Sequence, residues 1–419
     1  MTRRTRWAIG CLLAMAIPLH VSGQSTLVPM DQAQANHLRA YGLTYWALEQ
    51  GLKAEWLLNY RGGSFLMPDA EVVRKQAALL GVSVERISAG QEATIRGTIA
   101  QSNMESVPLE KAPKVAIYTP PNSTPWDDAV TMALDYAQIP YDKIWDAEVM
   151  RGRLTDYEWL HLHHEDFTGQ YSKFYLTYAG APWLQDEVAR NQEVATELGF
   201  PSVPELKKGV ARAIREFVER GGFLFAMCSA TETLDLALAA ENVDIAAAFS
   251  DGTPADPRAN AKMDWNKALA FADAEVQLAP SVNAFSDIDG HQVNTPWRHE
   301  LGAFTLFDFS AKFDPVATML TQNHEAVIPD FYGVTTSFAK KRLKPGTTIL
   351  AEEGDWAKYV HGTYGEGTWT FYGGHDPEDP EHQIGDAPTD LALHPNSAAY
   401  RLILNNVLFP AAKKKKLKT

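Results

Sequence analysis

The chain has 419 residues and is 45% hydrophobic, so it is long and apolar enough to bury a large core in two structural units. Eight of its 38 basic residues lie in residues 1–24 and 411–419, which contain no acid, so residues 25–410 hold 30 basic residues against 52 acidic ones. The resulting net charge of −22 argues against nucleic acid and anionic lipid as partners of this part of the chain.

Residues 1–24 have the pattern of a secretory signal peptide: three arginines, an apolar stretch, and small residues before Gln24. The apolar stretch is too short for a membrane span. We therefore expect an exported protein, periplasmic or secreted, without a membrane span. Loss of this segment would remove Cys11 and leave Cys228 as the one cysteine of the mature chain. Residues 411–419 form a basic tail that is typical of a solvated chain end.

A small N-terminal α/β unit is predicted for residues 25–112. Helical periodicity covers residues 32–50 and 69–80, and strand-like runs cover residues 55–58 and 83–87. The glycine-bearing loop at residues 59–64 follows the first of these strands, and we interpret it as a turn. Residues 110–113 are typical of a linker to the next unit.

Strands and helices alternate through residues 113–246, which predicts a parallel sheet covered by helices on both faces. The expected strands are residues 114–118, 141–145, 158–162 and 223–227, and the longest helix is residues 204–220. Residues 247–340 have weak periodicity and are interpreted as a lid-like insertion. A hairpin at residues 359–372 and a helix at residues 397–408 end this unit at about residue 410.

Cys228 lies directly between the apolar strand 223–227 and a helical pattern. A strand–turn–helix of this kind raises a nucleophile above the carboxyl edge of a sheet, and the helix N-terminus favours a thiolate. The alternative is a packing residue, because free cysteine is among the most buried residue types. His375 follows a late strand and is the candidate base, with Glu378 or Asp376 to orient it. The backbone amide of Ser229 is a candidate oxyanion donor.

A second cluster of titratable side chains ends the strand 158–162. His163, His164, Glu165 and Asp166 lie where binding sites form in α/β sheets, and we expect them to line the substrate pocket. A metal site built from two imidazoles and a carboxylate is the alternative, but no standard ligand spacing is matched. His161 is deeper in the strand and is predicted to be a hydrogen-bonded core residue.

Residues 113–410 resemble the class I glutamine amidotransferase-like superfamily, whose flavodoxin-like sheet carries a cysteine at a sharp turn and a late His-Pro-Glu sequence. Cys228 and His375 match the cysteine and the histidine, and Glu378 matches the acid, three residues after the histidine instead of two. Ala226 and Ala230 stand where the family usually has glycine. The segment YGEGTWTFYGGHDPE at residues 364–378 is more similar to the ThuA-like branch, which often lacks the nucleophile and is linked to sugar metabolism.

The whole chain also resembles exported bacterial proteins labelled asparagine synthetase B. The sequence does not support the activity that this label implies. It has no cysteine at a start near Gln24, and it has no Ser-Gly-Gly-x-Asp-Ser loop for ATP pyrophosphate.

The fold expected from the resemblance is α/β, with a flavodoxin-like parallel sheet, the small N-terminal unit and the inserted lid. The leading function is cysteine-dependent hydrolysis of an amide, or acyl transfer from it, with no cofactor. One alternative is a non-catalytic or sugar-binding ThuA-like protein, and another is a metal-dependent hydrolase that uses the histidine-rich loop. The expected partner is a small amide or sugar-like molecule, and the oligomeric state is left open.

Overall fold

The computed structural model describes residues 24–121, 128–282, 284–289, 302–314, 325–381 and 386–412. The predicted signal peptide, except for its last residue Gln24, and the tail from residue 413 lie outside these ranges. Eleven helices are described: α1 His37–Glu49, α2 Glu71–Leu80, α3 Ala89–Gln101, α4 Ala129–Ala137, α5 Asp146–Met150, α6 Tyr175–Tyr178, α7 Pro182–Glu197, α8 Val203–Glu219, α9 Cys228–Ala239, α10 Ala248–Asp251 and α11 Ala398–Leu408. Among the described residues, none of these helices has the length and apolar character needed to cross a membrane.

Fifteen strands are described in the same ranges, and they form two sheets. They are β1 Ser25–Val28, β2 Ala54–Leu58, β3 Ser64–Pro68, β4 Glu85–Ile87, β5 Glu105–Leu109, β6 Val115–Tyr118, β7 Asp142–Ile144, β8 Trp159–Leu162, β9 Phe223–Met227, β10 Ala303–Leu306, β11 Val327–Pro329, β12 Phe338–Ala339, β13 Thr348–Glu353, β14 Trp356–Tyr364 and β15 Gly367–Tyr372.

The N-terminal unit is a five-stranded sheet in the order β4-β1-β3-β2-β5, and its neighbouring strands are all antiparallel. The sequence pattern located β2 and β4. It missed β1, β3, β5 and α3, because each is short or has little helical or alternating apolar character. The loop before β3 is a tight turn in which Asn59 and Arg61 have positive φ.

The second sheet is mixed and has the order β11-β10-β13-β14-β15-β9-β8-β6-β7, with β12 beside β14. The five strands from β7 to β15 in this order are parallel, as the alternation of strands and helices predicts. The other half of the sheet is antiparallel, and apart from the predicted hairpin it was not part of the expected parallel sheet. The predicted hairpin is the β14–β15 pair. β13 pairs with β14 in the same antiparallel way, because a short turn can join antiparallel neighbours without a crossover helix. The protein is thus α/β with mixed sheets.

Helices cover both faces of the parallel strands. Side chains alternate along β9, so that Phe223 and Phe225 belong to one apolar cluster and Leu224 and Ala226 to the other. The first cluster also includes α1, α4 and α11, and through α1 it continues into the N-terminal unit. The buried Arg401 of α11 donates to the carbonyl oxygens of Met30 and Gly62, which ties the two units together.

The described part of the predicted insertion is held against α9 by Asp235. This fully buried carboxylate accepts hydrogen bonds from three consecutive backbone amides, those of Leu269, Ala270 and Phe271, at 2.7, 2.7 and 3.0 Å. The chain there has little regular structure, so the Asp235 carboxylate satisfies backbone amides that a helix or strand would pair with backbone carbonyl oxygens.

We expect Asp235→Ala to lower the free energy of unfolding by about 3–5 kcal/mol, because three buried amides would lose a charged acceptor. Urea unfolding followed by fluorescence measures the loss. Asp235→Asn keeps one acceptor oxygen and should cost less, and Asp186→Ala on exposed α7 should change stability by no more than about 0.5 kcal/mol. Equal effects of Asp235→Ala and Asp186→Ala would contradict this account.

Candidate active site

Cys228 occupies the sharp turn between β9 and α9. Its φ of 50° lies in the left-handed region, which few residues other than glycine adopt. Its backbone amide donates to the carbonyl oxygen of Gly374 at 3.1 Å, and the amide of Ala230 donates to the carbonyl oxygen of His163 at 3.0 Å. The start of α9 is therefore bound to the loops that follow β15 and β8, the two strands beside β9.

The Cys228 side chain is buried, with 1% of its surface exposed. The backbone amide of Val334 donates a hydrogen bond to its sulfur at 3.3 Å. Next to Val334, the carbonyl oxygen of Thr335 accepts from the Gly374 amide at 2.8 Å, and its hydroxyl donates to Glu232 at 2.9 Å. A segment of the predicted insertion thus packs on the cysteine turn.

The imidazoles of His163 and His375 contact each other. His163 Nε2 lies 3.3 Å from His375 Nδ1, and the two ring centroids are 4.4 Å apart. His163 is buried and His375 is half-buried. Two loops that are 212 residues apart in the chain therefore bring their histidines together. Both loops are also hydrogen-bonded through their backbones to the cysteine turn.

Asp128, at the start of α4, lies behind these histidines. One of its carboxylate oxygens is 3.5 Å from His163 Nδ1 and 3.1 Å from His161 Nε2, and it accepts from the Val130 amide at 2.8 Å. Burial raises the pKa of this carboxyl, but His161 and His163 and the hydrogen bonds outweigh burial and hold the pKa well below its ordinary value. Asp128 is therefore a buried carboxylate anion.

Burial has the opposite consequence for His163. It moves the pKa of this imidazole well below its ordinary value of 6.5, although the Asp128 carboxylate raises it. His163 is therefore neutral at physiological pH, with one nitrogen able to accept a hydrogen bond or bind a metal. His161 is a core residue hydrogen-bonded to Asp128 and to the Phe225 carbonyl oxygen, as predicted.

Glu378 and Asp376 follow His375 but have other hydrogen-bonded partners. Glu378 Oε2 lies 2.9 Å from Nδ1 of His394, and Asp376 accepts from the Tyr400 hydroxyl at 2.7 Å. The role of Glu378 in orienting His375 stays a prediction. The contact of His375 with His163, which in turn lies beside Asp128, adds a second candidate for that role.

The other predicted site residues lie around the same turn. The Ser229 hydroxyl is fully buried and has no hydrogen-bond partner among the described residues. His164 is exposed. The Glu165 carboxylate accepts from the His163 amide at 2.9 Å, and burial raises its pKa. Asp166 accepts from the amides of residues 168, 170 and 172, so its carboxylate organises its own loop.

The sequence analysis missed Asp128, Val334 and Glu232. Asp128 and Val334 carried no signal, because one is an ordinary helix cap and the other lies in a segment without periodicity. Glu232 stands four residues after Cys228 in a helix rich in alanine and leucine, where Asp235 is the other charged residue, and a charge at such a position is a signal that could have been used.

Three imidazoles of the site could hold a metal ion. One ring nitrogen from each of His163, His164 and His375 lies within 4.8 Å of the others. The predicted metal alternative used the histidine-rich loop alone, and the structure adds His375 to it. A cavity of about 420 Å³ lies apart from these residues, and its lining includes Met263, Trp265 and Lys344.

No family model matches the chain, and no curated protein matches it. One solved structure with some likeness is a cytoplasmic protein from Salmonella typhimurium, with 9% identity and a TM-score of 0.36 over 72% of this chain and 100% of that one. Another is a cytoplasmic protein from Salmonella typhimurium LT2, with 11% identity and a TM-score of 0.33 over the same shares. Likenesses of this size carry no argument about fold or activity.

Proposed function

We propose that the protein is a cysteine-dependent hydrolase or acyl transferase that acts on a small amide, with Cys228 as nucleophile. The observation that carries the proposal is the positive φ of Cys228 at the start of a helix, bound through its amide to the residue before His375. Positive φ in a β-carbon-bearing residue costs free energy, and strain of this kind clusters at functional sites. A cysteine kept only for packing needs no such turn.

The fold proposed for residues 113–410 is flavodoxin-like. Numbered along the chain, the five parallel strands have the spatial order 2-1-3-4-5, which is the flavodoxin-like order. Cys228 follows the fourth of these strands and His375 the fifth. Both residues therefore lie outside the carboxyl ends of the strands, where ligands bind in open α/β sheets.

The proposed chemistry begins with the proton arrangement of the two histidines. Neutral His163 carries its proton on Nδ1, toward Asp128, and accepts a hydrogen bond from Nδ1–H of His375. This leaves the lone pair on Nε2 of His375, which takes the thiol proton of Cys228. The Asp128 carboxylate stabilises the positive charge that then develops on the paired imidazoles.

The thiolate attacks the amide carbonyl carbon, and a tetrahedral oxyanion forms. The proposed hydrogen-bond donors to this oxyanion are backbone amides at the start of α9, such as that of Ser229. The Val334 amide, which lies 3.3 Å from the Cys228 sulfur, is a further donor. Protonated His375 gives its proton to the departing amine, and a thioester remains on Cys228. Water releases the acid, or another amine accepts the acyl group.

Alkylation of the thiol tests this proposal in buffer with EDTA. Iodoacetamide adducts are assigned to Cys228 or Cys11 by peptide mass spectrometry, and the urea-unfolded chain gives the intrinsic rate. We expect His375→Ala to slow the alkylation of Cys228 in the folded protein at least about tenfold. A folded-state rate that is slow and unchanged by His375→Ala would make Cys228 a packing residue and overturn the proposal.

The same assay separates the two candidates for orienting His375. If His163 and Asp128 orient it, His163→Gln slows alkylation and Glu378→Gln does not, and the reverse holds if Glu378 does so. Ammonia release from a panel of primary carboxamides then tests the reaction class, and Cys228→Ala should abolish it in any active case.

A further inference from the structure

We propose that His163, His164 and His375 form a binding site for one divalent metal ion, with zinc preferred, and that the metal-bound state blocks the thiol chemistry. The site would use three imidazole nitrogens from two loops and leave its fourth position to water or a ligand. The blocking effect rests on the proposed function, whereas the metal site itself does not.

The distances in the cluster fit zinc. Ligands on a tetrahedron with Zn–N bonds of about 2.0–2.1 Å lie about 3.3–3.4 Å apart. The nitrogens His163 Nε2 and His375 Nδ1 are 3.3 Å apart, at the long end for an N–H···N hydrogen bond. The third nitrogen, from His164, lies within 4.8 Å of both, so a small rotation of an exposed side chain completes the set.

The surroundings of His163 are those of a metal ligand. A ligating histidine usually directs its second ring nitrogen at a carboxylate, which fixes the ring and raises its basicity. Nδ1 of His163 lies 3.5 Å from the buried Asp128 carboxylate, without a regular hydrogen bond to it, while Nε2 faces the cluster. Asp128 is in turn held by His161 and by backbone amides, so this support is rigid.

The site is open on one side. His164 is exposed and His375 is half-buried, whereas His163 is buried at the base of the cluster. A metal ion has a route from solvent, and three protein ligands leave an open coordination position, as in catalytic rather than structural zinc sites.

Metal binding changes the tautomer of His375. When Nδ1 gives its lone pair to the metal, the ring proton moves to Nε2, and no lone pair is left there to accept the thiol proton. One bound zinc ion would therefore switch off the base of the proposed reaction, and a chelator would restore it.

Calorimetric titration of the EDTA-treated full chain, expressed without a polyhistidine tag, tests the site with ZnCl₂. We expect one zinc per chain, and an affinity at least about 100-fold weaker in His164→Ala, which alters an exposed residue and should fold normally. The control is His394→Ala, a half-exposed histidine paired with Glu378 outside the cluster, and it should bind zinc as the wild type does. Cobalt(II) added in place of zinc should give the strong visible absorption of a four-coordinate ion.

Two results would overturn the metal site: no stoichiometric binding, or binding that His164→Ala leaves unchanged. The alkylation assay, run with and without one equivalent of zinc, distinguishes failure of the metal-site proposal from failure of the proposed thiol chemistry. Zinc binding with a thiol that is inert in EDTA supports the site and removes the hydrolase. A reactive thiol in a protein that does not bind zinc supports the proposed hydrolase and removes the metal site.

Discussion

Replacing Gly374 with alanine should destabilise the protein by about 2–5 kcal/mol and slow thiol chemistry at Cys228 at least about tenfold. Gly374 has a φ of +92°, and a β-carbon there would lie 2.5 Å from the ring of Phe331. Phe331 is fully buried and its ring stands edge-on to Tyr372 at 5.4 Å, so it has no space to move into. The backbone must shift instead.

The shift would reach the proposed catalytic groups directly. The carbonyl oxygen of Gly374 accepts from the Cys228 amide, and its own amide donates to the carbonyl oxygen of Thr335, next to Val334. His375 follows in the chain. Moving this residue therefore displaces the cysteine turn, the amide on the sulfur and the proposed base together.

Gly346 is the matched control for this substitution. Its φ of +91° is nearly the same, but a β-carbon there would meet nothing within 4 Å. Gly346→Ala should therefore cost only the backbone strain, about 1–2 kcal/mol, and leave alkylation unchanged. Urea unfolding and the alkylation rate measure both effects. If the two alanine variants are equally stable and equally reactive, the packing of Gly374 does not hold the site.

Glu232→Gln should remove a large loss of stability that the wild type suffers as pH rises from about 5 to 8. Glu232 lies one turn below Cys228 in α9 and is 1% exposed. Burial, followed by the negative charge of Asp289, raises its pKa from 4.5 to about 8, although the hydroxyls of Ser286 and Thr335 donate to it and partly offset the shift.

The sign follows from which state holds the proton. Between pH 4.5 and 8 the unfolded chain ionises at Glu232 while the folded protein keeps the carboxyl protonated. Unfolding is therefore increasingly favoured as pH rises, and the loss levels off above the folded pKa. At 1.36 kcal/mol per pKa unit, we expect the loss to reach about 3–5 kcal/mol.

Unfolding free energies from urea titrations at pH 5, 6, 7, 8 and 9 measure this effect. The difference between Glu232→Gln and wild type should grow in favour of the variant up to about pH 8 and then stay constant. The exposed Glu193→Gln on α7 should follow the wild type at every pH. If the unfolding free energies of wild type and Glu232→Gln differ by the same amount at every pH, the Glu232 carboxyl is already ionised in the folded protein over this pH range, which would contradict the prediction.

Much of the local structure around the site could be predicted from the sequence, because it depends on short-range patterns. An apolar run before Cys228 and a helical pattern after it predicted β9 and α9, and the glycine turn at residues 365–367 predicted the β14–β15 hairpin that ends just before His375. The parallel half of the sheet followed from alternation of strands and helices. In the antiparallel half, only the part beyond the hairpin was missed, because β10, β11 and β12 have two to four residues each, too few to show a period.

The composition and order of residues thus determined an α/β chain with a cysteine at a strand–helix turn and a histidine after a late strand. Which groups face each other was decided only by the tertiary structure. His375 contacts His163, which lies 212 residues away in the chain, and Asp128 at the start of α4 lies behind His163. The Val334 amide donates to the Cys228 sulfur, 106 residues away. No local pattern encodes such pairs, since they arise when the carboxyl ends of three adjacent strands meet at one edge of a sheet.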